Sequence, residues 1–214
     1  RGDIMKKTNK DVVINLSNET LDKIDLTIYD KYLTPKLKHP NEYNFYGKSG
    51  IEHYYMLAYL STCYNGETLL DVGTHMGGSA MALSYNKNNK VITVDVRNQV
   101  QTKIDIPNIE FLIGDIMNSQ DGHDLIHSTR FILYDTTHTG KLEQEFHDYL
   151  VESDWKGIVI WDDIKYRWTK EIRQGMVDFW DSIDDDKKIN ISKYAHWTET
   201  GLVWYGDKPE INLL

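Results

Sequence analysis

The sequence predicts an α/β fold with a mostly parallel central sheet, and three observations favour this fold class. Apolar runs typical of buried strands alternate with helical patterns along most of the chain. Four of these runs lead to aspartates, at Asp71, at Asp95, at Asp135 and at the pair Asp162-Asp163. The first run is followed by a glycine-rich turn, and a length of 214 residues suits one domain with a sizeable core.

Residues 1–45 are predicted to form a polar, lysine-rich segment with one helix, as part of the same domain or as a cap on it. Asn18 is the expected N-cap of that helix. Residues 46–214 are predicted to form the main domain. The apolar residues that predict the N-terminal helix recur at helical spacing: Leu21, Ile24, Ile28 and Tyr32.

The later elements follow from apolar periodicity and from the turns between them. Pro35 and Pro40 end the first helical pattern, and Asn65-Gly66 turns the chain into the first strand. Apolar, mostly β-branched runs bounded by Asn, Gly or Asp predict strands, and apolar residues three and four apart predict helices. In chain order we expect a helix over 49–64, a strand over 68–72, a helix over 78–85, strands over 91–95 and 109–113, a helix over 121–128, a strand over 131–135, a helix around 142–150, a strand over 157–163, a helix over 169–182, and a hairpin of 189–194 with 202–205.

Composition and charge exclude several classes of function. The net charge of −9 disfavours nucleic acid as a partner, because phosphate backbones are bound by excess Lys and Arg. Cys63 is the only cysteine, so no internal disulfide can form. No apolar run approaches the ~20 residues of a membrane span, and no secretion signal is visible. We therefore expect a soluble, cytoplasmic protein without a membrane partner.

The turn after the first strand reads Gly73-Thr74-His75-Met76-Gly77-Gly78. A buried strand that ends in such a turn brings backbone N–H groups and the start of a helix close to a ligand, because glycine has no Cβ. The dinucleotide fingerprint G-x-G-x-x-G is absent, so a nicotinamide cofactor is disfavoured. The sequence therefore predicts a site for a different nucleotide cofactor.

The pattern Asp71-x-Gly73-x-x-x-Gly77-x-Ser79 resembles motif I of the class I S-adenosylmethionine-dependent methyltransferases. The resemblance implies a Rossmann-like three-layer sandwich, with a seven-stranded, mostly parallel sheet and a C-terminal antiparallel hairpin. Asp95 follows Gly73 at the spacing at which Rossmann-like halves place the acid that binds the ribose hydroxyls. The residues expected to bind S-adenosylmethionine are Asp71, Gly73, Gly77, Ser79 and Asp95, with Asp115 on the adenine amino group and Ile116 on the adenine ring.

Three carboxylates, those of Asp135, Asp162 and Asp163, are expected at the ends of two neighbouring strands. Like charges within a few ångströms need a proton or a cation between them, and an all-oxygen ligand set suits Mg²⁺ or Mn²⁺. The run Tyr134 to His138, a helix, and the run Gly157 to Ile164 together resemble the metal-dependent O-methyltransferases of the macrocin type. The resemblance to catechol O-methyltransferase is looser.

His138 lies three residues after Asp135, and we expect it to act as the base, with Asp135 beside it. Catechol O-methyltransferases have a lysine near this position, where this sequence has His138. His138 could instead be an outer metal ligand or a residue near a helix N-cap. Aromatic and histidine side chains in nearby loops are expected to contact the acceptor: Tyr166, Trp168, His196 and Trp197.

The sequence thus predicts an S-adenosylmethionine-dependent O-methyltransferase acting on a hydroxyl of a small molecule, sugar or glycan, with a divalent metal and a histidine base. Two alternatives stay open. One is a metal-independent methyltransferase on another acceptor, and the other is a non-catalytic nucleotide-binding domain. A homo-oligomer and a place in a larger multidomain chain are both compatible with the sequence.

Overall fold

The computed structural model describes residues 8–33, 51–100, 104–165, 169–195 and 198–214. Its strands are β1 (Val13–Leu16), β2 (Thr68–Val72), β3 (Lys90–Asp95), β4 (Ile109–Ile113), β5 (Phe131–Tyr134), β6 (Gly157–Trp161), β7 (Lys188–Asn190), β8 (Gly201–Tyr205) and β9 (Glu210–Leu213). Its α-helices are α1 (Asn18–Leu21), α2 (Ile51–Thr62), α3 (Gly78–Leu83), α4 (Gln120–Ser128), α5 (Lys141–Glu152) and α6 (Lys170–Ser182). Short 3-10 helices cover Leu26–Tyr32, Asp185–Lys187 and Ser192–Tyr194.

The main sheet has seven strands in the order β4-β3-β2-β5-β6-β8-β7. Neighbouring strands from β4 to β6 pair in parallel, whereas β8 is antiparallel to both β6 and β7. Parallel pairing requires a crossover between consecutive strands, and the alternating helices supply most of these crossovers. The predicted fold class, a mostly parallel seven-stranded sheet with an antiparallel C-terminal end, is confirmed.

The sheet is buried on both faces, which makes the domain a three-layer sandwich. One face packs on α2 and α3 through residues such as Leu57 and Met81. The other face packs on α4, α5 and α6, where Phe146 lies against Tyr134 and Trp161. Strands covered on both sides need continuous apolar runs, which explains why β5 and β6 could be recognised in the sequence.

The N-terminal segment is joined to the C-terminal end of the chain. Strand β1 pairs in parallel with β9 in a separate two-stranded sheet, a pairing that the sequence analysis missed. Arg130, which directly precedes β5, forms a two-pronged ion pair with Asp11, at 2.6 and 2.9 Å. Ile14 and Leu16 of β1 belong to the core on the α2 face, whereas Val13 is exposed.

The single helix predicted for the N-terminal segment is wrong in its extent. Ser17, not Asn18, is the N-cap of α1, because its hydroxyl accepts from the Thr20 backbone N–H. Asp25 then caps a separate 3-10 helix by accepting from the N–H and hydroxyl of Thr27. A side chain that caps within the apolar pattern starts a new helix there and divides the predicted one.

The crossover from β3 to β4 differs from the others. Its described residues, 96–100 and 104–108, contain no helix. The outer strand β4 is consequently only partly covered, and Ile113 at its end is 67% exposed. Within the described residues, none of the helices has the length and apolar character needed to cross a bilayer.

Candidate active site

The carboxyl ends of four parallel strands lie side by side at one edge of the sheet. The Gly73 N–H donates to the Val94 carbonyl at 2.9 Å, and the Asp135 N–H donates to the Val72 carbonyl at 2.8 Å. The Asp162 N–H donates to the Tyr134 carbonyl at 3.2 Å. These bonds continue the ladder by one residue past the strands, so the groups that follow β2, β3, β5 and β6 share one edge, where ligands of open α/β sheets bind.

The turn after β2 depends on glycine at its first position. Gly73 has φ +109°, and a β-carbon there would lie 1.6 Å from the backbone oxygen of Asp135. His75, in the middle of the turn, also has a positive φ of 44°. Gly77 has φ +85° and precedes α3. Because Gly73 has no β-carbon, the backbone of the turn can lie directly against the backbone of Asp135, the residue that follows β5.

Asp71 supports this turn from below. Its side chain is 0% exposed, and its Oδ2 accepts hydrogen bonds from Thr93, at 2.7 Å, and from Ser79, at 3.0 Å. Burial raises the pKa of Asp71 to about 7, although the two hydroxyl hydrogen bonds act in the opposite direction. Asp71 and Ser79, predicted as cofactor contacts, therefore brace the turn in this structure.

Replacing Asp71 with Asn tests this account of a buried, proton-binding brace. Between about pH 3.8 and 7 the folded protein keeps a proton that the unfolded chain has released, so stability from this group is lost as pH rises through 7. Asn retains an oxygen for both hydroxyls. We measure the free energy of unfolding in urea for the variant and for wild type. The difference, variant minus wild type, should increase by about 2–4 kcal/mol from pH 4 to pH 8. A difference that is constant with pH would contradict the account.

Asp95 lies at the end of β3 with both oxygens directed by backbone donors. Its Oδ2 accepts from the His75 N–H at 2.9 Å, and its Oδ1 accepts from the Arg97 N–H at 3.0 Å. A cleft of about 340 Å³ adjoins it, lined by Asp95, Thr74, Arg97, Asn98, Val100, Ile104, Phe111, Leu112 and Ile113. This arrangement suits a nucleoside. The carboxylate could accept hydrogen bonds from the sugar hydroxyls, and the apolar wall could pack on the base.

The two residues predicted to bind adenine have different environments. Asp115 is exposed and accepts from the Met117 N–H at 3.0 Å. Ile116 is only 6% exposed and packs in the core, and its contact with an adenine ring stays a prediction. Sequence reasoning missed Val96, which directly follows Asp95 and is 63% exposed. The signal in the sequence is an apolar residue directly after Asp95, the acid predicted to bind the ribose.

His138 lies between two carboxylates after β5. Its Nε2 is 3.3 Å from Asp135 Oδ1 and 3.5 Å from Asp163 Oδ2. Burial alone would lower the pKa of His138, but the hydrogen bond and charge of Asp135, with the charges of Asp163 and Asp162, outweigh burial and raise it to about 9. The structure therefore brings His138 together with two of the three aspartates that were predicted as metal ligands.

The side chain of Asp162 is directed away from His138, toward α2. Its Oδ1 lies 3.5 Å from His53 Nδ1 and accepts from the Thr200 hydroxyl at 3.3 Å. Asp162 continues the strand ladder, whereas Asp163 has a φ of +54° and leaves the extended conformation, so their side chains diverge. The expectation that Asp135, Asp162 and Asp163 converge on one point is corrected by this arrangement.

The predicted Mg²⁺ ligands Asp135, Asp162 and Asp163 contact histidines in this structure. The oxygen donors suit Mg²⁺ chemically, yet within the described residues no group of three or more His, Cys, Asp or Glu side chains is arranged to hold a metal ion. The imidazole of His138 lies against Asp135 and Asp163, and Asp162 faces His53. As arranged here, the three aspartates do not fit a metal ion.

Glu143 holds the loop that carries His138, and sequence reasoning missed it. The buried carboxylate accepts from the backbone N–H groups of His138, at 3.1 Å, and Gly140, at 2.8 Å, and from the Thr136 hydroxyl. These bonds fix His138 at φ +53°, a conformation that few side chains adopt. The signal in the sequence is an acid three residues into a helix that follows a glycine.

The residues predicted to contact the acceptor lie outside the described part of the chain. Tyr166 and Trp168 belong to the interval between Lys165 and Thr169, and His196 and Trp197 precede Thr198. The flanking segments pair with each other, since the Lys165 N–H donates to the Thr198 carbonyl at 3.0 Å. The contact of these four residues with an acceptor stays a prediction.

No protein-family model matches the sequence, and none of the curated proteins matches it. Solved structures do match. The SAH-bound methyltransferase PaMTH1 from Podospora anserina has a TM-score of 0.52 at 11% identity, over 91% of this chain and 99% of that one. The cofactor-bound Rv0187 from MTB has a TM-score of 0.50 at 11% identity, over 71% of this chain and 78% of that one. At these identities the likeness establishes the fold alone, which is the Rossmann-like methyltransferase fold.

Proposed function

We propose that this protein is an S-adenosylmethionine-dependent O-methyltransferase that acts on a hydroxyl of a small molecule, sugar or glycan. One observation carries the proposal. The glycine turn follows β2, and Asp95 ends the neighbouring strand β3. His138, with Asp135 beside it, follows β5 on the other side of β2, at the same edge of the sheet. A methyl donor held by the first group would present its methyl carbon to a hydroxyl held near the second.

The donor half supplies groups that match S-adenosylmethionine. The Asp95 oxygens each accept one backbone hydrogen bond and keep lone pairs for the ribose hydroxyls. The cleft beside Asp95, with its apolar residues, would accommodate adenine. The rest of the donor would pass over the glycine turn, from Asp95 toward the residues that follow β5.

The acceptor half supplies the proton acceptor. As the acceptor oxygen attacks the methyl carbon, the new C–O bond forms, the C–S bond breaks with its electron pair left on sulfur, and the hydroxyl proton passes to His138. Asp135 and Asp163 stabilise the imidazolium so formed and fix the orientation of the ring. A positioned base of this kind typically contributes ~10²–10⁴-fold to the rate.

A labelled-methyl assay tests the proposal. The full chain is incubated with S-adenosylmethionine labelled on its methyl group and with panels of glycans, simple sugars and catechols. Transfer to a hydroxyl supports the proposal, and transfer only to nitrogen or carboxylate acceptors would contradict it. Tight donor binding without transfer to any acceptor would favour the non-catalytic alternative. Parallel assays with a chelator and with added Mg²⁺ check the metal dependence that the sequence predicts.

Asp95→Asn tests the donor half separately. Asn keeps one oxygen acceptor but loses the charge and places an N–H₂ where an acceptor stood, so we expect the Kd for S-adenosylmethionine to rise at least about tenfold. Glu110→Gln, an exposed change on the neighbouring strand β4, is the matched control and should leave the affinity unchanged. Calorimetry measures both. Equal affinities for the two variants would remove Asp95 from the donor site.

A further inference from the structure

We propose that Glu143 is a positioning residue for methyl transfer, one that acts through His138 and not on the donor or the acceptor. The inference rests on the proposed function, in which His138 takes the proton of the acceptor hydroxyl. Glu143 lies in the first turn of α5, and it is only 2% exposed. It belongs neither to the glycine turn nor to the aspartates that follow the strands.

Both oxygens of the Glu143 carboxylate bind the loop between β5 and α5. Oε2 accepts from the Gly140 N–H at 2.8 Å, the bond by which an acid in the first turn of a helix caps its N-terminus. Oε1 accepts from the His138 N–H and from the Thr136 hydroxyl, each at 3.1 Å. Capping the helix requires neither of these two bonds. Glu143 thereby holds the loop near its start, at its middle and at its end.

The backbone at His138 needs such support. Its φ of +53° is a conformation that residues with a β-carbon rarely adopt, and it persists only where the surroundings enforce it. A hydrogen bond from an N–H group to a carboxylate is stronger than one to a neutral oxygen, so Glu143 can enforce it. A return to negative φ would move the imidazole from its position 3.3 Å from Asp135 and 3.5 Å from Asp163.

The end of the loop is also packed against the backbone of α6. A β-carbon on Gly140 would lie 2.1 Å from the Gly175 carbonyl oxygen, and one on Gly175 would lie 2.1 Å from the Thr139 carbonyl oxygen. This packing restrains the two residues that follow His138. The bonds from Glu143 extend the restraint back to the base itself.

A double-mutant cycle tests the inference with the acceptor identified in the labelled-methyl assay. Glu143→Gln keeps the shape of the side chain but replaces one oxygen with an N–H₂ group, which cannot accept from the loop. We expect kcat to fall about 10- to 100-fold, the cost of a base displaced by about 1 Å, with the Kd for S-adenosylhomocysteine and the KM of the acceptor unchanged. In the His138→Asn background, Glu143→Gln should cause no further loss, because the base through which it acts is already absent.

The control and the second variant use the same helix and the same position. Glu145→Gln changes an exposed acid of α5, whose carboxylate lies 3.8 Å from Lys141 Nζ, and should leave kcat unchanged. Glu143→Asp keeps the charge but is one methylene shorter, so it cannot reach all three donors and should also lower kcat; it replaces Glu143→Gln in the cycle if that variant does not fold. An equal loss of kcat in both backgrounds, or a parallel loss of affinity for S-adenosylhomocysteine, would overturn the inference.

Hydrogen exchange followed by NMR tests the contact without turnover. In Glu143→Gln the amides of His138 and Gly140 should exchange at least about tenfold faster than in wild type, whereas the amides of β5 should keep their rates. Unchanged exchange at His138 would overturn the inference. A wild-type chain that transfers no methyl group would refute the proposed function, and the exchange rates would still show whether Glu143 holds the loop.

Discussion

Replacing His138 with Asn lowers kcat by about 10²–10⁴-fold while the affinity for S-adenosylmethionine is retained. The amide cannot accept the hydroxyl proton, and Asn tolerates the positive φ of this position better than most residues, so the loop should keep its shape. The comparison requires the acceptor identified in the labelled-methyl assay, with calorimetry for donor binding. His127→Asn, a change to an exposed histidine of α4, is the control and should leave both quantities unchanged.

The pH dependence of the wild-type rate provides a second readout for His138. The base acts only when unprotonated, and the charges of Asp135, Asp163 and Asp162 raise its pKa to about 9. The value of kcat/KM should therefore rise about tenfold per pH unit below pH 9 and level off above it. A full rate for His138→Asn, or a wild-type rate that is independent of pH, would exclude this residue as the base.

Replacing Gly73 with Ala abolishes donor binding and destabilises the fold by at least about 3 kcal/mol. The added β-carbon would lie 1.6 Å from the Asp135 backbone oxygen, so β2 and β5 would have to separate at their carboxyl ends. Urea unfolding measures the stability, and calorimetry with S-adenosylhomocysteine measures the binding.

A matched glycine separates the steric clash from the cost of the backbone conformation. Gly66 also has a positive φ, +71°, but a β-carbon there would meet nothing within 4 Å. Gly66→Ala should therefore cost only about 1–2 kcal/mol, the penalty of the left-handed conformation, and should leave donor binding intact. Similar losses in the two variants would mean that the contact with Asp135 does not matter.

The central strands of the sheet could be predicted from the sequence because they are buried on both faces. Strands β2 and β4 have the predicted bounds, and β5 and β6 end before the aspartates assigned to them. The two strands that escaped prediction, β1 and β9, have only four residues each and pair with each other across almost the whole chain. So short a run, whose partner is remote in sequence, leaves no local signal.

The site was predictable to the level of which residues share an edge, but not to the level of what each side chain contacts. The pairing of His138 with Asp135 follows from their spacing after one strand, and the structure places them in contact. The divergence of Asp162 and Asp163 accompanies the positive φ of Asp163, a backbone conformation that the sequence does not display. The support from Glu143 is local and has a capping signal in the sequence, whereas the burial of Asp71 depends on tertiary packing that the sequence does not display.

The parallel pairing of β1 with β9 also governs how the protein would respond to force. In this register Val13 lies beside Glu210 and Leu16 beside Leu213, so the chain enters the ladder at one end and leaves it at the other. Pulling the two termini apart would draw these strands past each other along their axes. The ladder would then be loaded in shear, with all its hydrogen bonds resisting together, and would not open like a zipper from one end.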